Sequence, residues 1–277
     1  MRRVLFAFAC LLPLALVGCK KPKPAQEDLT TAEASQALEE AKVEGDASNL
    51  TASSIEISTS FTIGQAVETA AAEIRDFVTA QLPCAKIDLA GATLSVEYGA
   101  LPGSCSYKGL TYSGKHTISV AKNDMGNVEV DHVWTDLSNG RVKVSGTATV
   151  TWSLEDKIRH VVHSLEWTRL SDGMTATGTG DRTQTALEGG VVEGIQIDGS
   201  RSWESPKGKW DLGINGVQIR WVDPVPQAGS YTLATPSGKA LTLTFTRVDD
   251  VTIKVTVASG AKSFDFDVKR IDAGGET

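Results

Sequence analysis

The chain has 277 residues and 29.4 kDa, with 41% hydrophobic and 22% charged residues and a formal net charge of −7. That is the composition of a globular chain with a sizeable core, not of a disordered one. The acidic balance argues against a nucleic-acid partner, because phosphate binding needs surplus Lys and Arg. Threonine makes up about a tenth of the sequence and glycine supplies 26 residues, a bias toward strands and turns.

The chain opens on Arg2 and Arg3, followed by an apolar run from Val4 to Val17. A membrane span needs about 20 residues, so this run is short and has the flanks of a secretory leader. It ends in Leu16-Val17-Gly18-Cys19. With Leu-x-Gly-Cys at the end of the apolar run, the chain resembles a bacterial lipoprotein precursor over its first 20 residues. The resemblance implies cleavage before Cys19, lipid attachment at the Cys19 thiol and fatty acylation of its new amine. Lys20 stands where Asp favours retention in the inner membrane. The implied address is therefore the outer membrane of a two-membrane envelope, facing the periplasm or the cell surface. Loss of residues 1–18 removes Arg2 and Arg3 and deepens the formal charge to −9.

Of four cysteines, Cys10 leaves with the leader and Cys19 carries lipid, so Cys84 and Cys105 remain for a disulfide in an oxidising compartment. No Cys-x-x-Cys spacing supports redox chemistry.

Residues 19–53 read as a lipid anchor and polar tether. Lys20-Lys21-Pro22-Lys23-Pro24 is a stiff basic spacer. Thr30 and Glu33 fit a capping box for one marginal exposed helix, whose only apolar stripe is Ala34, Leu38 and Ala41. A single β-rich domain is expected over 54–271, opening on a short strand at Ser54–Ser60, with a disordered tail at 272–277. One strong helix is predicted at Ile63–Leu82, with Ile63, Val67, Ala70, Ile74, Phe77 and Val78 on one stripe and Pro83 as its stop.

Beyond Cys84 roughly thirteen strands follow. Most alternate apolar and polar residues, as in Leu241–Thr246 and Phe264–Val268, and turn pairs such as Asn139-Gly140 and Asp172-Gly173 punctuate them. The fold class is therefore mainly β: a large, curved antiparallel meander, half-barrel or barrel-like, with one N-terminal helix packed on its apolar face. Trp134–Gly140 and Trp167–Gly173 repeat at an offset of 33. In the first copy, keeping all apolar residues on one face pairs Trp134 with Val144 and His132 with Gly146, and gives Gly140 a left-handed conformation. The second copy leads into Thr175–Arg182, polar on both sides. It suits an edge strand best, and otherwise a strand closely approached by a neighbour.

Chemistry is sparse. His160 and His163 fall on opposite faces of a strand. A metal site from His116, His132, His160 and His163 is less expected than satisfied core histidines. No metal, cofactor or catalytic set is assigned. The Ser-x-x-Lys matches at Ser119 and Ser259 have no partner motif. Six tryptophans, Trp134, Trp152, Trp167, Trp203, Trp210 and Trp221, suit core packing, with a glycan-stacking surface as the sharper alternative. The expected function is a non-catalytic envelope lipoprotein, acting as a scaffold or binding module toward an envelope protein, glycan or lipid. The alternatives are a carrier of an apolar ligand in a half-barrel cavity, an unrecognised enzyme, and a transmembrane barrel. A packed interior is predicted.

Overall fold

The computed structural model describes residues 28–58, 67–107, 110–124, 126–153 and 158–270. The expected leader, Cys19 and the expected tail at 272–277 lie outside them. Two helices come first, α1 (Thr31–Ser58) and α2 (Val67–Gln81). The strands are β1 (Lys86–Ala90), β2 (Thr93–Tyr98), β3 (Ser106–Tyr107), β4 (Leu110–Thr111), β5 (Ser113–Lys122), β6 (Val128–Ser138), β7 (Val142–Ser153) and β8 (Ile158–Arg169). They continue as β9 (Thr175–Ala186), β10 (Gly194–Ser205), β11 (Gly208–Arg220), β12 (Ala228–Ala234), β13 (Ala240–Arg247), β14 (Thr252–Ser259) and β15 (Lys262–Lys269).

Thirteen of these strands form one antiparallel sheet, each beside its sequence neighbour, with the small β3–β4 hairpin set apart between β2 and β5. The sheet is open, ending in β1 and β15. The alternation of apolar and polar residues fixes its faces. On β13, Leu241, Leu243 and Phe245 are buried while Thr242, Thr244 and Thr246 are exposed. On such strands the apolar set faces inward and hydroxyls face out, the reverse of the apolar outer band of a transmembrane barrel. Among the described residues no helix is long and apolar enough to cross a membrane.

The main correction concerns residues 31–58. They form not a tether, a marginal helix and a strand, but one 28-residue helix, α1, about 42 Å long at 1.5 Å per residue. The Thr30–Glu33 capping box forms as expected, with the Glu33 amide donating to Thr30 Oγ1 at 3.3 Å and the Thr30 amide donating to Glu33 Oε2 at 2.9 Å. α1 has no single apolar stripe because it is buried on several sides: Ala34, Ala37, Leu38, Ala41, Val43, Ala47, Leu50 and Ile55 all lie in the core. Its alanines let strands approach closely, so a helix without a marked apolar face occupies the inside of the sheet.

The expected helix at 63–82 is described from Val67 as α2. Its Thr62–Gln65 cap falls outside the described residues. Ala70, Ala71, Ile74 and Val78 are buried, but Phe77 is partly exposed, at 37%. α2 packs beside α1, β1, β2 and β5, at one end of the sheet and not across it. The helix on the apolar face is thus α1. The disulfide joins Cys84 to Cys105 with a Cα–Cα distance of 5.3 Å, tying the exit of α2 to the loop before β3.

Two strand expectations also shift. β6 and β7 keep their apolar residues on one face, but Trp134 lies opposite Gly146, His132 opposite Ala148 and Leu137 opposite Val144. The pairing at Trp134 differs from the expected one by two residues, which preserves the faces, and a bulge between Trp134 and Leu137, with Asp136 at φ 51°, shifts the register by one within the strand. Gly140 has the expected positive φ, 83°. The repeated hairpin β8–β9 has no such bulge, so the two copies do not share a register. β9 is not an edge strand: it lies between β8 and β10. Its glycines reflect close approach, since a Cβ at Gly180 would meet His163 Cε1 at 2.2 Å and one at Gly178 would meet the Trp167 ring at 2.8 Å.

Candidate functional site

The inner face is organised around α1. Three arginines stand on successive strands, Arg159 on β8, Arg182 on β9 and Arg201 on β10, all fully or nearly fully buried. α1 answers them along one side. Glu44 pairs with Arg201, Ser48 accepts a hydrogen bond from Arg182, and Glu56 pairs with Arg159 at 3.0 Å. As α1 advances from Glu44 to Glu56 the strands run backward from β10 to β8, so the helix crosses the strands. Its first turn is held by Lys239, which lies 2.6 Å from Glu33, and Glu40 meets Lys207 at 2.7 Å. Near its C-terminal end the Tyr112 hydroxyl donates to Ser53 Oγ at 2.7 Å, and Trp134 Nε1 donates to Ser54 Oγ at 3.0 Å.

Burial pushes the Arg159 guanidinium down to about 10, against the pull of Glu56. Among the described residues Arg182 faces no carboxylate within hydrogen-bond reach, and it is pushed down to about 9, by burial and then by the neighbouring Arg201. Its Nη2 donates to His163 Nδ1 at 3.2 Å, which requires a neutral ring. Burial, Arg182 and Arg201 together hold His163 at about 2. Among the described residues Arg182 Nε, Arg201 Nε and Nη2 and both amide atoms of Gln184 are buried without a hydrogen-bond partner. The inner face therefore carries more donors than α1 satisfies.

Two hollows lie between α1 and the sheet. The one lined by Leu38, Ala41, Ile219, Tyr231 and Phe245 is small, about 20 Å³, room for about one water molecule, and the other, about 360 Å³, lies at the first turn of α1 between Glu33, Gln36, Lys207, Trp210 and Lys239.

The four histidines do not converge. His116 and His132 form a buried stack on Trp134, linked Nε2 to Nδ1 at 2.9 Å, with the Tyr98 hydroxyl 3.3 Å from His116. Burial lowers His116 to about 3 and His132 well below its ordinary value. His163 points inward, whereas His160 sits on the outer face, 2.6 Å from Asp181. No group of three metal-binding side chains occurs among the described residues. All six tryptophans are buried, so they form no glycan-stacking platform. Trp203 and Trp210 instead stack on each other with centroids 6.0 Å apart.

The outer face holds the largest hollow described, about 1000 Å³, spanning β7 to β13. Thr149, Ser164, Thr179, Ser200 and Thr232 contribute hydroxyls, and Val162 is exposed among them. Arg201 lines it only through its backbone side, since its guanidinium points inward to Glu44. The two carboxylates there are each partnered, Asp181 by His160 and Asp211 by Lys209 at 3.4 Å. The central strands use their backbone groups within the sheet, so the polar groups that this hollow offers are side-chain hydroxyls and carboxylates. No family model, curated protein or solved structure matches the chain.

Sequence reasoning missed both the arginine row and its counterpart. The available signals were the spacing of Glu40, Glu44, Ser48 and Glu56 in multiples of four, and the three arginines at positions whose strand alternation points inward.

Proposed function

We propose that this chain is a lipid-anchored, non-catalytic protein of the cell envelope that serves as a scaffold or binding module, with the outer hollow over β7 to β13 as its contact surface. The Leu16–Cys19 motif supports the anchor at Cys19, and Lys20 supports the outer-membrane address. The observation that carries the binding reading is α1 itself, which covers the central part of the inner face, so that the larger hollow, about 1000 Å³, lies on the outer face. Metabolic labelling with a fatty acid tests the anchor: wild type takes up label and Cys19→Ala does not. Label retained in Cys19→Ala contradicts it. Thr179→Arg with Ser200→Arg tests the hollow. These changes place long cations on an exposed floor, so they reduce in-cell crosslinking to envelope partners while leaving the melting temperature unchanged.

A second reading, carriage of an apolar or amphiphilic ligand, rests on the surplus donors of the inner face. It requires α1 to leave the sheet. Lipid that co-purifies with Cys19→Ala protein, at about one molecule per chain, favours the carrier over the scaffold.

A further inference from the structure

The two ends of the thirteen-strand sheet are finished differently. β1 has five residues and packs beside α2. β15 has eight, contains neither proline nor glycine, and runs in unbroken register against β14 from Thr252 opposite Lys269 to Ser259 opposite Lys262. Among the described residues no strand pairs with its other edge. In an antiparallel strand alternate residues direct their backbone groups to opposite sides, so β15 presents about four N–H and C=O pairs to the outside.

Its side chains carry a second sign of incompleteness. Phe264, Phe266 and Val268 face inward opposite Val257, Val255 and Ile253. Those β14 residues are fully buried, but the β15 row is only half-buried. The apolar layer is thus cut off at β15 and does not end in polar residues. On the other face Asp265 and Asp267 alternate with this row, and Asp265 accepts a hydrogen bond from Thr256 Oγ1 at 2.7 Å.

We propose that the free edge of β15 receives an extended segment of another protein in which apolar residues alternate with lysine or threonine. Backbone hydrogen bonds hold the segment. Its apolar residues extend the Phe264, Phe266 and Val268 row, and its basic or hydroxyl residues sit beside Asp265 and Asp267.

Two other occupants fit poorly. A second β15, paired antiparallel over most of its length with both apolar rows inward, sets Asp265 against Asp267 or one of them against itself. Like charges directly opposite destabilise such a pair. The chain's own segment before Asp28 enters close by, since Asp28 lies 3.9 Å from Lys262. Residues 19–27, however, contain Pro22 and Pro24, which lack the N–H donor, and no alternating apolar row.

The proposal is independent of the reading of the outer hollow. Three labelled ten-residue peptides test it on the detergent-solubilised full chain by fluorescence anisotropy. One alternates valine with lysine and threonine, one carries glutamate for lysine, and one is a scrambled isomer of the first. The lysine peptide is expected to bind about tenfold or more tighter than the other two, with the order of lysine and glutamate peptides reversed in Asp265→Lys/Asp267→Lys. Amide exchange of the wild type adds a readout that needs no variant: the lysine peptide slows exchange in β15. Equal binding of the scrambled peptide, no binding of the lysine peptide, or protection elsewhere overturns the proposal, and concentration-dependent dimerisation through β15 overturns it by assigning the edge to a second copy.

Discussion

α1 and α2 are adjacent in sequence and pack against each other, yet they are built on different principles. α2 buries one side, through Ala70, Ile74 and Val78, at four-residue intervals, and leaves Phe77 partly in solvent. α1 is enclosed along much of its length and is held by small residues and buried ion pairs. Periodicity reports a helix with one wet face, so it finds α2 and overlooks α1. A weak amphipathic signal is therefore no sign of a marginal helix where carboxylates recur at helical spacing beside alanines.

If α1 is the structural centre, the largest loss comes from its ion pairs. Glu44→Ala leaves Arg201 buried without its carboxylate, and urea unfolding should show a loss of about 3–5 kcal/mol. A loss below about 1 kcal/mol would mean that α1 is loosely held. Next in size is the covalent tie at the α2 end. Replacing Cys84 and Cys105 together by serine should cost about 3 kcal/mol, from the loop of about 20 residues that the bridge closes.

Acid distinguishes the two helices by a third route. His116, His132 and His163 are held neutral within the core that α1 fills, with His116 at about 3 and His163 at about 2 against an ordinary 6.5. Below pH 6.5 the unfolded chain takes up protons that the folded chain refuses. Stability therefore falls with pH from 6.5 toward about 3, by about 1.4 kcal/mol per pH unit for each histidine. His163→Gln should make the slope shallower by one histidine's share, as read from unfolding midpoints between pH 6.5 and 5. The smallest effect belongs to α2: Phe77→Ala should cost about 1 kcal/mol, because the side chain is only partly covered, with 37% exposed.

Much of the sheet is legible in the sequence because its face alternation is local and repeated. Leu241–Thr246 and Phe264–Val268 announce strands, and the pairing of Cys84 with Cys105 follows from the cysteine count and the compartment that the lipoprotein resemblance implies. The Thr30–Glu33 cap is legible too, although the length of the helix it starts is not. What escapes depends on distant neighbours. The β6–β7 register turns on a bulge with Asp136 at positive φ, a conformation that its flanking sequence does not announce. β9 reads as an edge because Gly178 and Gly180 lack side chains, but the bulk they leave out is supplied by Trp167 and His163 on β8. The outer hollow is a product of sheet curvature, which strand patterns in isolation do not encode.

The central claim is that α1 is a permanent part of the core and not a removable plug over a ligand cavity. Native-state hydrogen exchange of the full protein tests it most directly, by comparing the amides of Ala37 to Ile55 with those of β8 to β10. The account predicts equal protection in both, rising and falling together with global stability. Exchange in α1 faster than in the strands by about a hundredfold or more would contradict it and shift the function toward ligand carriage.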